Sequence, residues 1–163
     1  MSDFKATSKN RMDMHQEQME RINDRGEYLA NEAQSRKAMY DFLESQVQDA
    51  ADLAAVESAR QEAAQYFEAA YQSQVESPME ATQDEMRRVQ DEVGAESRRV
   101  MEASDRAKSQ RDGVSDAASD AVANNLARSA DQYRQMNDEA GLVASDHLQR
   151  AHANMNRIRS QFR

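Results

Sequence analysis

Apolar residues return at three- and four-residue steps along most of this chain, and the step is cleanest in its second half. Met79, Thr82, Met86, Val89, Val93, Glu96, Val100, Ala103, Ala107, Gln110 and Val114 follow one another without a fault. That spacing sets one stripe on one helical face, the seam of helices that wrap around each other. Its apolar members, Met79, Met86, Val89, Val93, Val100, Ala107 and Val114, are the candidate interface seam. A second period overlaps the first. Glu85-Met86-Arg87-Arg88-Val89 recurs eleven residues later as Glu96-Ser97-Arg98-Arg99-Val100, and an 11-residue repeat runs straighter than a heptad.

From Val114 the stripe continues through Val122, Leu126, Tyr133, Met136, Ala140, His147, Ala151, Met155, Ile158 and Phe162. Upstream it is weaker. Phe4, Met12, Met19 and Ile22 are scattered over 3–25, and Leu29, Ala33, Arg36, Tyr40, Leu43, Val47, Ala50 and Ala54 then take up helical steps. Tyr66, Phe67, Tyr71 and Val75 make the densest aromatic cluster, just ahead of the single proline.

That proline sets the predicted layout. In Ser77-Pro78-Met79-Glu80 a serine N-cap, a proline at the first helical position and a glutamate at the third spell a helix start. Proline also disfavours helical geometry at the residue before it, so the upstream helix is expected to stop at Ser77. Tyr66, Phe67, Tyr71, Ser77 and Pro78 are therefore expected to form a bend cluster packing on Met79 and Met86. Gly26 is a candidate kink and Asp112-Gly113 a candidate second turn. The predicted fold is all-α, a single elongated helical domain over 1–163 with segments near 3–25, 27–76, 79–112 and 114–162. Two architectures satisfy it. In one, a long antiparallel hairpin bent at Ser77-Pro78 sets Ile22 near Tyr133 and Leu29 near Leu126. In the other, Gly113 is a true turn and three helices form a coiled-coil bundle.

Composition supports long helices over a broad core. The apolar residues are 27 Ala, 10 Met and 9 Val against 6 Leu, 2 Ile and no Trp. With so few large aliphatics, burial must come from Ala-rich seams that pack closely. Four glycines and one proline leave few turns, which argues against a sheet protein. There is no cysteine, hence no disulfide and no thiolate metal site.

Charge narrows the partners. The net charge is −9; residues 27–77 carry −7 and residues 147–163 carry +4. An acidic body argues against nucleic-acid binding, except through the basic C-terminal end. Arg150, Arg157, Arg159 and Arg163 lie there on an amphipathic pattern with Leu148, Met155, Ile158 and Phe162. They suit a helix C-terminus, and equally a basic end that docks to an acidic partner or to the acidic segment of a second copy. No stretch approaches the roughly 20 apolar residues of a membrane span, and no apolar run follows the N-terminus. The chain is expected to be soluble, in the cytoplasm or a virion, or exported without a classical signal.

Catalytic constellations do not assemble. The glycines are isolated at 26, 94, 113 and 141, so no loop cradles phosphate. His147 and His152 point to different helical faces, as does His15 between Asp13 and Glu17, and no Glu-x-x-His pairs exist for a helical metal site. No catalytic residue, cofactor or metal site is expected. In make-up the chain resembles phage scaffolding and internal virion proteins, which are small, acidic, helical and cysteine-free with a basic end. A narrow seam leaves exposed edges that want further helices, so the chain is expected to be a structural protein that self-associates, as a homo-oligomer, and docks to protein partners in an assembly, of the phage or virion type that the resemblance suggests. Alternatives are a subunit or substrate of a specialised secretion system, or an amphipathic protein that coats lipid or granule surfaces as phasins do.

Overall fold

The computed structural model describes residues 2–109 and 116–162, and every described element is helical. In chain order these are α1 (Ser2–Gln46), α2 (Ala50–Tyr71), a π-helical turn (Gln72–Glu76), α3 (Ser77–Ser109) and α4 (Asp116–Gln161). Their contacts gather into two compact units. The first holds Met1–Gln16 with Gln83–Ala144, and the second Glu17–Thr82 with Ser145–Arg163. Each is an antiparallel bundle of long helices, as the hydrophobic period predicts.

In the first unit α3 and α4 run antiparallel, tied by side chains that reach the opposite backbone. Gln90 donates to the Asn137 carbonyl at 3.2 Å and Asn137 returns a bond to the Gln90 carbonyl at 2.9 Å. Ser97 donates to the Ala130 carbonyl at 3.1 Å and Ser104 to the Ala123 carbonyl at 3.0 Å. Each seven-residue advance on α3 is thus a seven-residue retreat on α4. The N-terminal end of α1 joins them through Phe4, edge-on to Tyr133, and through Arg11 paired with Glu92.

The seam of α3 is buried at Met79, Met86, Val89, Val93 and Val100, with Ala107 half-buried. Past Val93, however, the buried positions are Ser97, Val100 and Ser104, while Glu96 and Ala103 are half-buried. Ser97 therefore takes the place of Met86 and Val100 that of Val89, eleven residues on. Of the two overlapping periods the 11-residue one governs here, because it swings the Glu96 carboxylate out to the flank and brings in a hydroxyl that can bond the facing helix. Gln110, Val114 and the Asp112-Gly113 break lie outside the described residues.

In the second unit α1 and α4 are parallel: Glu20 meets Arg150, Asn23 meets His147, and Asn31 meets Arg157. Helix α2 runs against both, with Asp41 and Glu44 on Arg60 and Glu68 on Arg159. This overturns the two-helix hairpin that sets Ile22 near Tyr133 and Leu29 near Leu126, since that register needs α1 antiparallel to α4. What remains is an all-α antiparallel bundle of long helices, with the expected helix 27–76 divided at Val47–Asp49 and no break before α3.

The break is not at Ser77-Pro78. Ser77 is right-handed helical, with φ −62° and ψ −44°, and its N–H bonds the Gln72 carbonyl. That i→i+5 bond is the reason the helix survives the proline. Proline removes the bond its own N–H would make and crowds the carbonyl four residues back, and a π turn placed just before it widens the ladder at that point. The chain reverses instead at Val47–Asp49, between α1 and α2. Asp49 is extended (φ −97°, ψ 137°), and its carboxylate accepts the Ala51 N–H at 2.8 Å, an N-cap that Asp52 in the first turn reinforces. Nor does Gly26 break α1. A Cβ there would meet Asn154, Tyr71 and Val75, each at 3.4 Å, so the missing side chain permits close approach of three helical segments.

Two outcomes follow, read as shifts in urea midpoint. Gly141 is helical and open, its nearest neighbour being the Gln90 amide at 3.6 Å from a built Cβ. Gly141→Ala should stabilise by about 0.5–1 kcal/mol, whereas Gly26→Val should destabilise by about 1–3 kcal/mol. The seam gives the second. Glu96→Ala should stay within about 0.5 kcal/mol of wild type, while Ser97→Asp, which buries an unpaired carboxylate, should lose about 2 kcal/mol or more.

Candidate docking surface

The aromatic residues expected to plug a bend do something else. Phe67 is buried and stacks on Phe162 with centroids 5.7 Å apart, and Tyr66 lies edge-on to it at 5.3 Å. The Tyr71 hydroxyl donates to the Ala151 carbonyl, and its ring packs beside Gly26. The cluster thus joins α2 to α4 and α1. Ser77 is exposed and Pro78 half-buried, so neither belongs to it.

The basic end is engaged within its own unit. Arg150 is held by Asp146 at 2.7 Å and faces Glu20 at 3.4 Å, and the Asp146 carboxylate, with Glu20 adding to it, raises the guanidinium pKa further. Arg157 donates to Asn31 at 2.9 Å, and Arg159 pairs with Glu68 at 3.0 Å. Arg163 lies outside the described residues. Nearby, Asn23 donates to the His147 carbonyl at 3.1 Å and sits 2.9 Å from its Nδ1, which places this histidine in a packed polar contact.

The surface that stands apart is the end of the α1–α2 hairpin. From Asp41 to Tyr66 every residue is exposed or half-buried. Large apolar side chains there are bare: Phe42 is 63% exposed, Tyr66 60%, Leu53 40% and Leu43 38%, and just ahead of the run Met39 is 40% exposed. Isolated exposed apolar residues are ordinary, but a local concentration of them marks a contact surface. By contrast Tyr28, also exposed, lies under the Arg25 guanidinium at 4.9 Å, and Val122 and Leu142 stand singly on α4.

One face of the hairpin is polar and ion-paired within itself. Arg60 pairs with Asp41 and, at 2.8 Å, with Glu44, and Lys37 bonds Asp41, whose carboxyl it holds below the usual range. Another face is a groove of about 340 Å³, with Ala59 and Ala63 among its lining, Tyr40 and Tyr66 beside them, and Glu32, Glu62 and Arg36 also lining it. Met39 and Leu43 lie one heptad beyond Glu32 and Arg36, so they carry the α1 wall of the groove towards the turn. A cleft of about 370 Å³ in the first unit, between Gly94, Arg98 and Glu102 on α3 and Tyr133, Arg134 and Asn137 on α4, balances its charges instead.

Sequence reasoning named Leu43 and Tyr66 but missed Met39, Phe42 and Leu53. The signal was present: Met39 and Phe42 form an i, i+3 pair off the Arg36–Tyr40–Leu43 stripe, a second apolar face on the same helix. No protein-family model, curated protein or solved structure matches the chain. Among the described residues no helix is long and apolar enough to cross a membrane.

Tyr71 gives a pH-dependent test of the cluster that anchors this hairpin. Burial first, and the Glu76 carboxylate second, push its phenol from 10 up to about 12. A raised acid means the fold favours the neutral form, so its stabilisation is full below pH 10 and is lost as pH climbs through 12. Tyr71→Phe should cost about 1 kcal/mol at neutral pH, and its gap from wild type in urea midpoint should close across that alkaline window.

Proposed function

We propose that this protein is a non-catalytic helical assembly protein, and that the end of its α1–α2 hairpin is the arm by which it docks to other components. One observation carries the reading: the run from Asp41 to Tyr66 buries no side chain yet presents Phe42, Leu43, Leu53 and Tyr66 to its surroundings. A helical hairpin built for its own stability would turn those residues inward. Elsewhere Met12, Met19, Leu29, Val89 and Val93 are turned inward and fully enclosed.

The same burial weighs against the coating alternative. A surface-active helix keeps a wide apolar face free, and the α3 seam is already covered within the bundle. The acidic, cysteine-free make-up suits a component of a larger particle, the phage or virion type of assembly.

The test is the size of the protein in a native extract of its source. Wild type should elute in a large assembly, and Phe42→Glu with Leu53→Glu should release it as the free 18.5 kDa chain with unchanged circular dichroism. Elution of wild type as the free chain would sink the proposal.

A further inference from the structure

We infer that the α1–α2 groove receives a cationic amphipathic helix from a partner protein; this rests on the docking-arm reading above. Its shape suits a helix. Two antiparallel helices flank a channel of about 340 Å³ in which Ala59 and Ala63 leave room, Tyr66 supplies a broad apolar face and the largely buried Tyr40 also lines the wall. A row of side chains at i, i+4 and i+7 fits between such ridges.

Charge selects the partner. Residues 32–64 hold three cations, Arg36, Lys37 and Arg60, against seven carboxylates, Glu32, Asp41, Glu44, Asp49, Asp52, Glu57 and Glu62, a net of −4. Lys37 and Arg60 are already spent on Asp41 and Glu44, which leaves Arg36 as the one cation in the groove lining, against Glu32 and Glu62. Glu32 and Glu62, which line the groove, have no ion pair among the described residues, nor do Asp52 and Glu57. A second copy of this hairpin would bring the same negative charge to the contact, so like-charge repulsion disfavours self-pairing, and arginine or lysine flanks favour a foreign helix.

The unit already contains such a contact. On an adjoining strip of the same two helices, which shares Phe67 with the groove, α4 and the Phe162 that follows it lay down Ala151, Ile158 and Phe162, flanked by Arg150, Arg157 and Arg159, which reach Glu20, Asn31 and Glu68. The groove offers the same terms, acidic flanks around small and aromatic side chains, with the position of the basic helix open.

The experiment uses the full-length chain and two labelled synthetic helical peptides of about 18 residues. Both carry one Leu/Ala row; one has arginines on its flanks, the other glutamates. By fluorescence anisotropy the arginine peptide should bind and the glutamate peptide should not. Glu32→Lys with Glu62→Lys should weaken the arginine peptide about tenfold or more and admit the glutamate peptide, with circular dichroism unchanged. Ala59→Gln, which fills the channel, should abolish binding of the arginine peptide. The inference is overturned if neither peptide binds, if both bind alike, or if the charge reversal leaves the preference unaltered. It is also overturned if light scattering shows a dimer that Phe42→Glu disperses. The docking-arm reading survives any of these so long as the native assembly is still lost on Phe42→Glu with Leu53→Glu.

Discussion

Side chains on one helix hydrogen-bond directly to backbone carbonyls of the next, and that reach governs how the bundle is built. Ser97 and Ser104 have short side chains, yet their hydroxyls touch the Ala130 and Ala123 carbonyls at 3.1 and 3.0 Å. A helical carbonyl has a second lone pair to give, but a serine can use it only where the facing residues are small. The alanine content of the chain is therefore a geometric requirement. It lets helices with few large aliphatics come close enough for dispersion and buried hydrogen bonds to substitute for bulk.

The second unit meets the same requirement with different residues. Gly26 removes a side chain where α1 approaches Tyr71, Val75 and Asn154. Asn23 and Tyr71 reach the carbonyls of His147 and Ala151. Such contacts also fix register, since a one-residue slip would strand a buried donor and a sequence of near-identical alanine ridges offers little else to forbid it. Methionine fills the irregular spaces that remain, at Met12, Met19, Met79 and Met86.

How much of this was legible follows from which signals are local. The helices and the Met79–Val100 seam are written as a period, so they could be read directly. Whether Glu96 or Ser97 faces inward depends on a hydroxyl meeting a carbonyl on another helix, and the sequence offered both the heptad and the 11-residue repeat. Pro78 misled because a propensity rule describes the commonest outcome, and a π turn over Gln72–Glu76 absorbs the clash instead. The true reversal was nearly silent: three residues with neither glycine nor proline, marked only by the Asp49 cap. Of the candidate docking surface, Leu43 and Tyr66 could be named but not their exposure, which depends on how far α4 covers the other two helices.

The hairpin end raises a physical question of its own, because two helices without a buried residue should not hold their shape. Surface ion pairs such as Arg60 with Glu44 contribute little, about 0–1 kcal/mol. The answer lies in continuity. Forming the first turn is the costly step of a helix and extending it is not. Here α1 arrives already anchored by Tyr40 and α2 leaves towards Phe67, both buried. Between them the chain only propagates, and nine of the 22 residues of α2 are alanine, the residue that propagates best. The Asp49 cap then closes the turn. A surface kept helical in this way needs no apolar burial of its own, so its exposed side chains are free for a partner. Since the backbone is already ordered, docking there would bear little further entropy cost.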